Sequence, residues 1–198
     1  MATLFVPNPA RRVTIAEILE SYYTFSGEEG DDGKAAKYSL LPTGERANSV
    51  FLITTLTEVK TDDKFTVGTV NDKTGKIRIR ASREYQPVAY NQLKDLTGNL
   101  PAHVAVTGRI NVYEPEEKKE GSPDRFISIQ PEGLAQIEKP YRDLWNEDVF
   151  SETVKRAEWN ENALTEDQAM AREIYGPELK TTILQRVKTA YQTADGAA

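Results

Sequence analysis

The sequence predicts a mainly β protein with α-helices, in which a small five-stranded barrel is preceded by a helix and followed by a helical region. Three observations lead to this prediction. Two β-rich segments flank a tight turn, Asp-Lys-Thr-Gly, at 72–75. Three further segments alternate apolar and polar residues as strands do. After residue 139 the apolar period changes to that of amphipathic helices.

The hairpin at 65–80 is the centre of the predicted barrel. β-branched residues alternate with polar ones on both sides of its turn, and Gly75 is expected to supply the positive φ of that turn. In the second strand, one face is apolar and the other is cationic, with Ile77, Ile79 and Ala81 opposite Lys76, Arg78 and Arg80. We expect the apolar face to point into the barrel and the cations to point outward.

The other parts of the barrel follow in order. Strands are predicted at 48–60, 103–114 and 125–130, and a helix that starts near Pro87 is predicted at 86–96. Five strands with a helix after the third is the order of an OB-fold barrel. The first half of 48–60 is apolar on both faces, so a second element or a partner is expected to cover it.

The flanking segments divide the chain further. An N-terminal helix is predicted at 11–23, starting near Thr14 with a capping box to Glu17, and 26–33 reads as an acidic flexible linker. Helices are predicted after the barrel at 141–159, 165–175 and 178–193. The expected organisation is an N-terminal helix and linker (1–35), an OB-fold domain (36–138), a C-terminal helical region (139–194) and a frayed tail (195–198).

Composition limits the function. The 198 residues include 31 acids and 25 bases, for a net charge of −6, and no cysteine. This charge argues against a free-standing, tight nucleic-acid binder, but it allows a local basic face. No segment suggests a membrane span, a metal site, a cofactor or an enzyme, and His103 is interpreted as structural. A cytoplasmic protein is expected.

Several short segments resemble the archaeal replication protein A (RPA) family, the OB-fold proteins encoded with archaeal replication protein A. They are RRVTIAEILESYY (11–23), LPTGER (41–46), VFL (50–52), TLTE (55–58) and VAVTG (104–108). The resemblance covers about 11–137. It implies association with single-stranded DNA within a replication protein A-like assembly that acts in DNA replication, recombination and repair.

Candidate nucleic-acid contacts come from the outward strand positions. Single strands are held by cations along the backbone and by aromatic rings that stack on bases. The cations are Lys76, Arg78, Arg80 and Arg109, and the rings are Phe65, Tyr85, Tyr113 and Phe126. The alternative is a solvated strand face, with Phe65 and Phe126 packed under a loop or helix. The loop 114–124 carries five acids against two lysines, which opposes phosphate binding there.

Large apolar residues follow the barrel in the first C-terminal helix and just after it: Leu144, Trp145, Val149, Phe150 and Trp159. They predict packing either on other subunits of a hetero-oligomer or back on the chain's own barrel. Two other functions therefore stay open beside single-stranded DNA binding. One is a structural OB-fold adaptor that contacts only proteins, and the other is an OB module that binds RNA or tRNA.

Overall fold

A computed structural model describes residues 8–29, 35–117 and 121–192. The predicted tail at 195–198 and the 30–33 part of the predicted linker lie outside these ranges. The strands are β1 (Arg11–Arg12), β2 (Thr24–Glu29), β3 (Ala35–Leu40), β4 (Arg46–Ala47), β5 (Val50–Thr61), β6 (Phe65–Asn71), β7 (Lys76–Ser82), β8 (Ala102–Tyr113) and β9 (Phe126–Gln136). The helices are α1 (Ile15–Leu19), α2 (Pro87–Asp95), α3 (Lys139–Ala157), α4 (Glu166–Tyr175) and α5 (Pro177–Gln192).

Strands β5 to β9 form a closed barrel. The strand order is β5-β6-β7-β9-β8, and β8 pairs back with β5 to close it. All pairs are antiparallel except β7 with β9, and α2 lies between β7 and β8 in sequence. This order, with the helix after the third strand, is that of an OB-fold, so the predicted fold class is confirmed.

The barrel interior is filled by alternate residues of each strand. Leu52, Leu56, Ile79, Val106 and Ile129 are among its fully buried side chains. β9 continues six residues past the predicted end at Gln130 because β8 stays paired with it as far as Val104 opposite Gln136. The pairing shifts at Gly108, where a Cβ atom would lie 2.5 Å from the carbonyl oxygen of Gln130. Glycine at this position therefore permits the close approach of two backbones.

A second sheet replaces much of the predicted linker. β2, β3 and β4 form a three-stranded antiparallel sheet, so residues 26–29 are strand and not flexible loop. Phe25 lies opposite Tyr38 with the ring centroids 5.7 Å apart, and Arg46 lies over both rings. Cross-strand aromatic pairs stabilise sheets, which explains why this acidic, glycine-containing segment is ordered. The Gly-rich composition had predicted a loop.

Helix α1 begins where predicted but ends at Leu19, four residues before the predicted end. The Thr14 hydroxyl caps it by accepting from the Glu17 amide at 3.4 Å. The second half of the predicted capping box is absent, because the Glu17 side chain is fully buried and binds Arg156 of α3 instead. The hairpin turn supplies the other caps: Asp72 and Thr74 accept from the Ile15 and Ala16 amides.

The C-terminal helices pack on the barrel. Trp145 of α3 meets Phe51 of β5 edge to face, with centroids 5.2 Å apart, and one hydrophobic core includes residues of the barrel, α3 and α5. The apolar outer face of β5 is thus covered by another element of the same chain. At α4, Thr165 and Gln168 form a capping box, and Gly176 ends the helix with φ of 79°.

Candidate nucleic-acid interface

Strand β7 presents one cationic face and one apolar face. Ile77, Ile79 and Ala81 are buried, whereas Lys76, Arg78 and Arg80 are exposed. β7 lies between β6 and β9, so its cations stand in the middle of the barrel's outer surface. The alternation predicted from the sequence is confirmed.

The turn before β7 differs from its prediction. Gly75 does not have a positive φ; the described glycines that do are Gly44, Gly121 and Gly176. The Asp72 carboxylate makes the turn by accepting from the Thr74 and Gly75 amides at 2.6 and 2.9 Å. A Cβ atom at this position would lie 3.1 Å from Cγ2 of Ile15 of α1, so a larger residue would crowd that side chain.

A trough crosses the outer surface of β6, β7, β8 and β9. It consists of three adjoining cavities of about 780, 150 and 390 Å³. The first two share Arg80, Asn111 and Ser128, and the second and third share Tyr85 and Gln130, so the surface is continuous. The trough therefore offers a path for an extended nucleic-acid strand from one rim of the barrel to the other.

All eight residues predicted to contact nucleic acid line this trough. The first cavity holds Lys76, Arg78, Arg80, Tyr113 and Phe126; the second adds Phe65 and Tyr85; the third adds Arg109. The structure therefore brings the set together, and their contact with nucleic acid stays a prediction.

The aromatic residues differ in availability. Tyr113 and Phe126 face each other across β8 and β9 with centroids 6.4 Å apart, and they are 58% and 46% exposed. Tyr85 is 74% exposed at the other end of the trough. Phe65 is half-buried, and the Arg80 guanidinium covers its ring at 3.6 Å. Three of the rings are therefore exposed, whereas Arg80 covers one face of Phe65.

The cations also differ. Within the described residues, Lys76 and Arg78 form no ion pair, whereas Arg109 binds Glu132 at 2.9 Å. Glu58 is the acid nearest Arg78 in the first cavity, and a hydrogen bond from Lys60 is the main reason that its pKa is lowered. The centre of the trough is thus cationic, and its Arg109 end is close to neutral.

Sequence reasoning missed several lining residues. Asn111 and Ser128, whose side chains are 3.4 Å apart, lie between the cations and the rings. The alternation on β8 and β9 was the available signal, because it places both on the outward face. Gln130 shares the outward face of Phe126 and Ser128, whereas Glu132 was missed because the predicted strand ended before it.

The predicted partner-binding residues are mostly used within the chain. Trp145 is 6% exposed and Val149 is buried, while Phe150 packs against Tyr191 of α5. The Trp159 indole donates to the Thr43 carbonyl at 2.9 Å. For these four residues the structure favours the alternative prediction, packing within the chain, and their contact with a partner stays a prediction. Leu144, by contrast, is 66% exposed.

His103 has a structural environment. Its Nδ1 lies 3.2 Å from the Thr55 hydroxyl, and partial burial followed by the charge of Arg142 lowers its pKa. In the described ranges, no cluster of three or more His, Asp or Glu side chains is placed to hold a metal ion. None of the helices described there is long and apolar enough to cross a membrane.

No protein-family model and no curated protein sequence matches the chain. Among solved structures, a chain of a replication protein A heterotrimer bound to ssDNA is similar with a TM-score of 0.48 and 14% identity, over 76% of this chain and 100% of that chain. A chain of the S. pombe Stn1–Ten1 complex is similar with a TM-score of 0.47 and 12% identity, over 84% of this chain and 98% of that chain. The OBody AM2EP06, bound to hen egg-white lysozyme, matches 46% of this chain and 81% of its own, with a TM-score of 0.35 and 16% identity.

At these identities and TM-scores the similarities carry no argument about function. The OB-fold of this chain is established by its own strand order and by the pairing of β5 with β8. Membership of the replication protein A family stays a prediction.

Proposed function

We propose that this chain binds single-stranded DNA in the trough, as a subunit of a replication protein A-like assembly in DNA replication, recombination and repair. One observation carries the proposal. Among the described residues, Lys76 and Arg78 form no ion pair, although Glu58 lies in the same cavity, and both cations stand beside the exposed rings of Tyr113 and Phe126. Arg156, by contrast, is held by a carboxylate at 2.7 Å.

This arrangement suits a flexible polyanion whose bases are unpaired. Each base stacked on an aromatic ring contributes about 1–3 kcal/mol, and every base has a face that can stack. Each phosphate held by a cation adds about −0.7 to the slope of log K against log salt. With Lys76, Arg78 and Arg80 as contacts, the expected slope is about −2. The trough therefore predicts moderate, salt-sensitive binding without strong base preference.

The test is fluorescence anisotropy with labelled oligo-dT across a salt series. Replacing Lys76 and Arg78 by Gln should make the slope shallower by about 1.4, because two phosphate contacts are lost. The matched control replaces Lys94 and Lys139, two exposed cations outside the trough, and should change nothing. Absence of binding, or equal slopes for both double variants, would contradict the proposal.

A second variant separates stacking from charge. Tyr113→Ala should weaken binding by about 1–3 kcal/mol with the salt slope unchanged, because it removes a stacking ring and no cation. An oligo-rU strand is compared in parallel. Tighter binding of the ribose strand would assign the trough to RNA.

A protein-only adaptor is the second candidate, favoured by one observation on α3. Tyr141 and Leu144 are 61% and 66% exposed, so this helix keeps an apolar surface after packing on the barrel. We propose that other subunits of a hetero-oligomer bind there. Leu144→Glu should abolish co-purification of such a subunit and leave the affinity for oligo-dT unchanged. If the chain bound no DNA in any assembly, the protein-only adaptor function would be supported instead of DNA binding.

A further inference from the structure

A second groove, lined mostly by threonine, glutamine and cationic side chains, lies beside the tip of the β6–β7 hairpin. It has a volume of about 910 Å³ between the hairpin turn and α5. Lys73 and Thr74 line it from the turn, and Thr181, Gln185 and Arg186 are among the α5 residues that line it. The two cations, with the exposed Thr181 and Gln185 side chains, provide hydrogen-bond donors that suit a phosphate backbone.

The two cations of this groove are available. Within the described part of the chain, neither Lys73 nor Arg186 forms an ion pair, and both side chains are exposed. The Lys73 ammonium lies 5.1 Å from the centroid of the buried Tyr191 ring, which helps to fix its position. Of the three cations that follow Glu178 in α5, only Arg186 lines this groove; Lys180 pairs with Glu161 at 3.3 Å. The residues that line the groove thus include two cations and no carboxylate, and the Asp72 carboxylate of the same turn accepts from the Ile15, Thr74 and Gly75 amides.

The second groove shares no lining residue with the trough, but the two lie at neighbouring residues of the same hairpin. Lys76 lines the trough, and its neighbour Gly75 lies so close to α5 that a Cβ atom there would be 3.6 Å from Nη2 of Arg186. Lys73 lies three residues before Lys76 in the same turn. The unpaired cations thus extend from β7 over the hairpin tip and onto α5.

Charge at this rim also favours the α5 side. Because β7 and β9 run parallel with Arg78 opposite Ser128, the hairpin tip and the end of β8 share one rim of the barrel. Exposed acids follow Tyr113 there, at Glu114, Glu116 and Glu117. A polyanion that leaves the trough meets these carboxylates on one side and the Lys73–Arg186 pair on the other.

We propose that the groove between the hairpin turn and α5 binds the phosphate backbone of the same single strand after it leaves the trough. This inference rests on the proposed function. It extends the footprint beyond the barrel, so that a short strand uses the trough alone and a longer strand uses both grooves.

The test compares oligo-dT of about 8 and about 24 nucleotides, a range that brackets the usual site size of one OB-fold. In 0.1 M salt each phosphate contact is worth about fivefold in affinity, from its slope of about 0.7. Replacing Lys73 and Arg186 by Gln should therefore weaken the long strand about 25-fold and leave the short strand unchanged. The Lys94→Gln/Lys139→Gln control should change neither.

The outcomes separate the two proposals. If the Lys73→Gln/Arg186→Gln variant binds the long strand as tightly as the unmodified chain, while Lys76→Gln/Arg78→Gln still weakens both strands, the second groove is overturned and the trough stands. If the unmodified chain binds neither the short nor the long strand, both proposals fail. If long-strand affinity is unchanged and a co-purifying protein is lost instead, the groove is a protein contact. Thermal unfolding of each variant confirms that the fold is intact.

Discussion

The buried ion pair of Glu17 and Arg156 joins α1 to α3, the first helix after the barrel. Glu17 is fully buried and Arg156 is 8% exposed. Arg156 donates to the two carboxylate oxygens of Glu17 at 2.7 and 3.3 Å, and the Thr43 hydroxyl also donates to Glu17. The perturbation is therefore a single substitution, Glu17→Gln or Arg156→Met, that leaves one buried polar partner uncompensated.

The expected loss follows from this burial. Removing one member of a buried ion pair costs about 3–5 kcal/mol, because the remaining charge stays out of water. For a chain of this length that corresponds to a fall in Tm of roughly 6–20 °C. Replacing both residues by Met should recover most of the loss, since a well-packed apolar pair is often as stable as the ion pair.

Urea unfolding followed by tryptophan fluorescence is the assay. Trp159 is a suitable probe because its indole donates to the Thr43 carbonyl beside the pair. Lys155→Met is the matched control, because the ion pair of Lys155 with Glu152 is exposed and should contribute less than about 1 kcal/mol. Single variants that lose less than about 1 kcal/mol, or a double Met variant less stable than either single variant, would refute this reasoning.

Three further predictions concern packing and ionisation. Trp145→Ala should destabilise the chain by about 3–5 kcal/mol through loss of the Phe51 contact. Tyr141→Ala, at an exposed position of the same helix, should cost under about 0.5 kcal/mol, and equal losses would argue against α3 packing on the barrel. Gly108→Ala should cost about 1–3 kcal/mol because its Cβ meets the Gln130 carbonyl, whereas Gly133→Ala, with open space around it, should be neutral in the same denaturation assay. NMR titration of the single histidine should give a midpoint below about 6.5, because burial and the charge of Arg142 lower the pKa of His103. Protonation of His103 then favours the unfolded chain, so the free energy of unfolding falls as pH drops from about 6.5 through that midpoint. A midpoint at or above about 6.5 would contradict this assignment.

The sequence predicted the barrel because period-2 alternation and the hairpin are local signals. Lys76, Arg78 and Arg80 point outward as the alternation requires, and the helix at 86–96 was found within one residue at each end. These features depend on neighbouring residues only, so one chain segment is enough to specify them.

The sequence failed where contacts are distant. Glu17 was assigned to a capping box because its partner Arg156 is 139 residues away. The strand at 24–29 was missed because its order depends on pairing with Tyr38 and on Arg46 above the rings. Similarly, the apolar residues of α3 could not be assigned to barrel or partner, since Phe51 of β5, which Trp145 covers, lies 94 residues earlier in the chain. Long-range packing decided each case.

The local cations of the trough and the overall charge of −6 have opposite effects on a DNA strand. At 0.01 M salt, where the Debye length is about 30 Å, the approaching phosphates sense the whole acidic molecule and encounter is slow. At 0.1 M that length falls to about 10 Å, so only the nearby basic strand acts during approach, although each bound contact is then weaker. Raising ionic strength should therefore speed capture and hasten release at the same time.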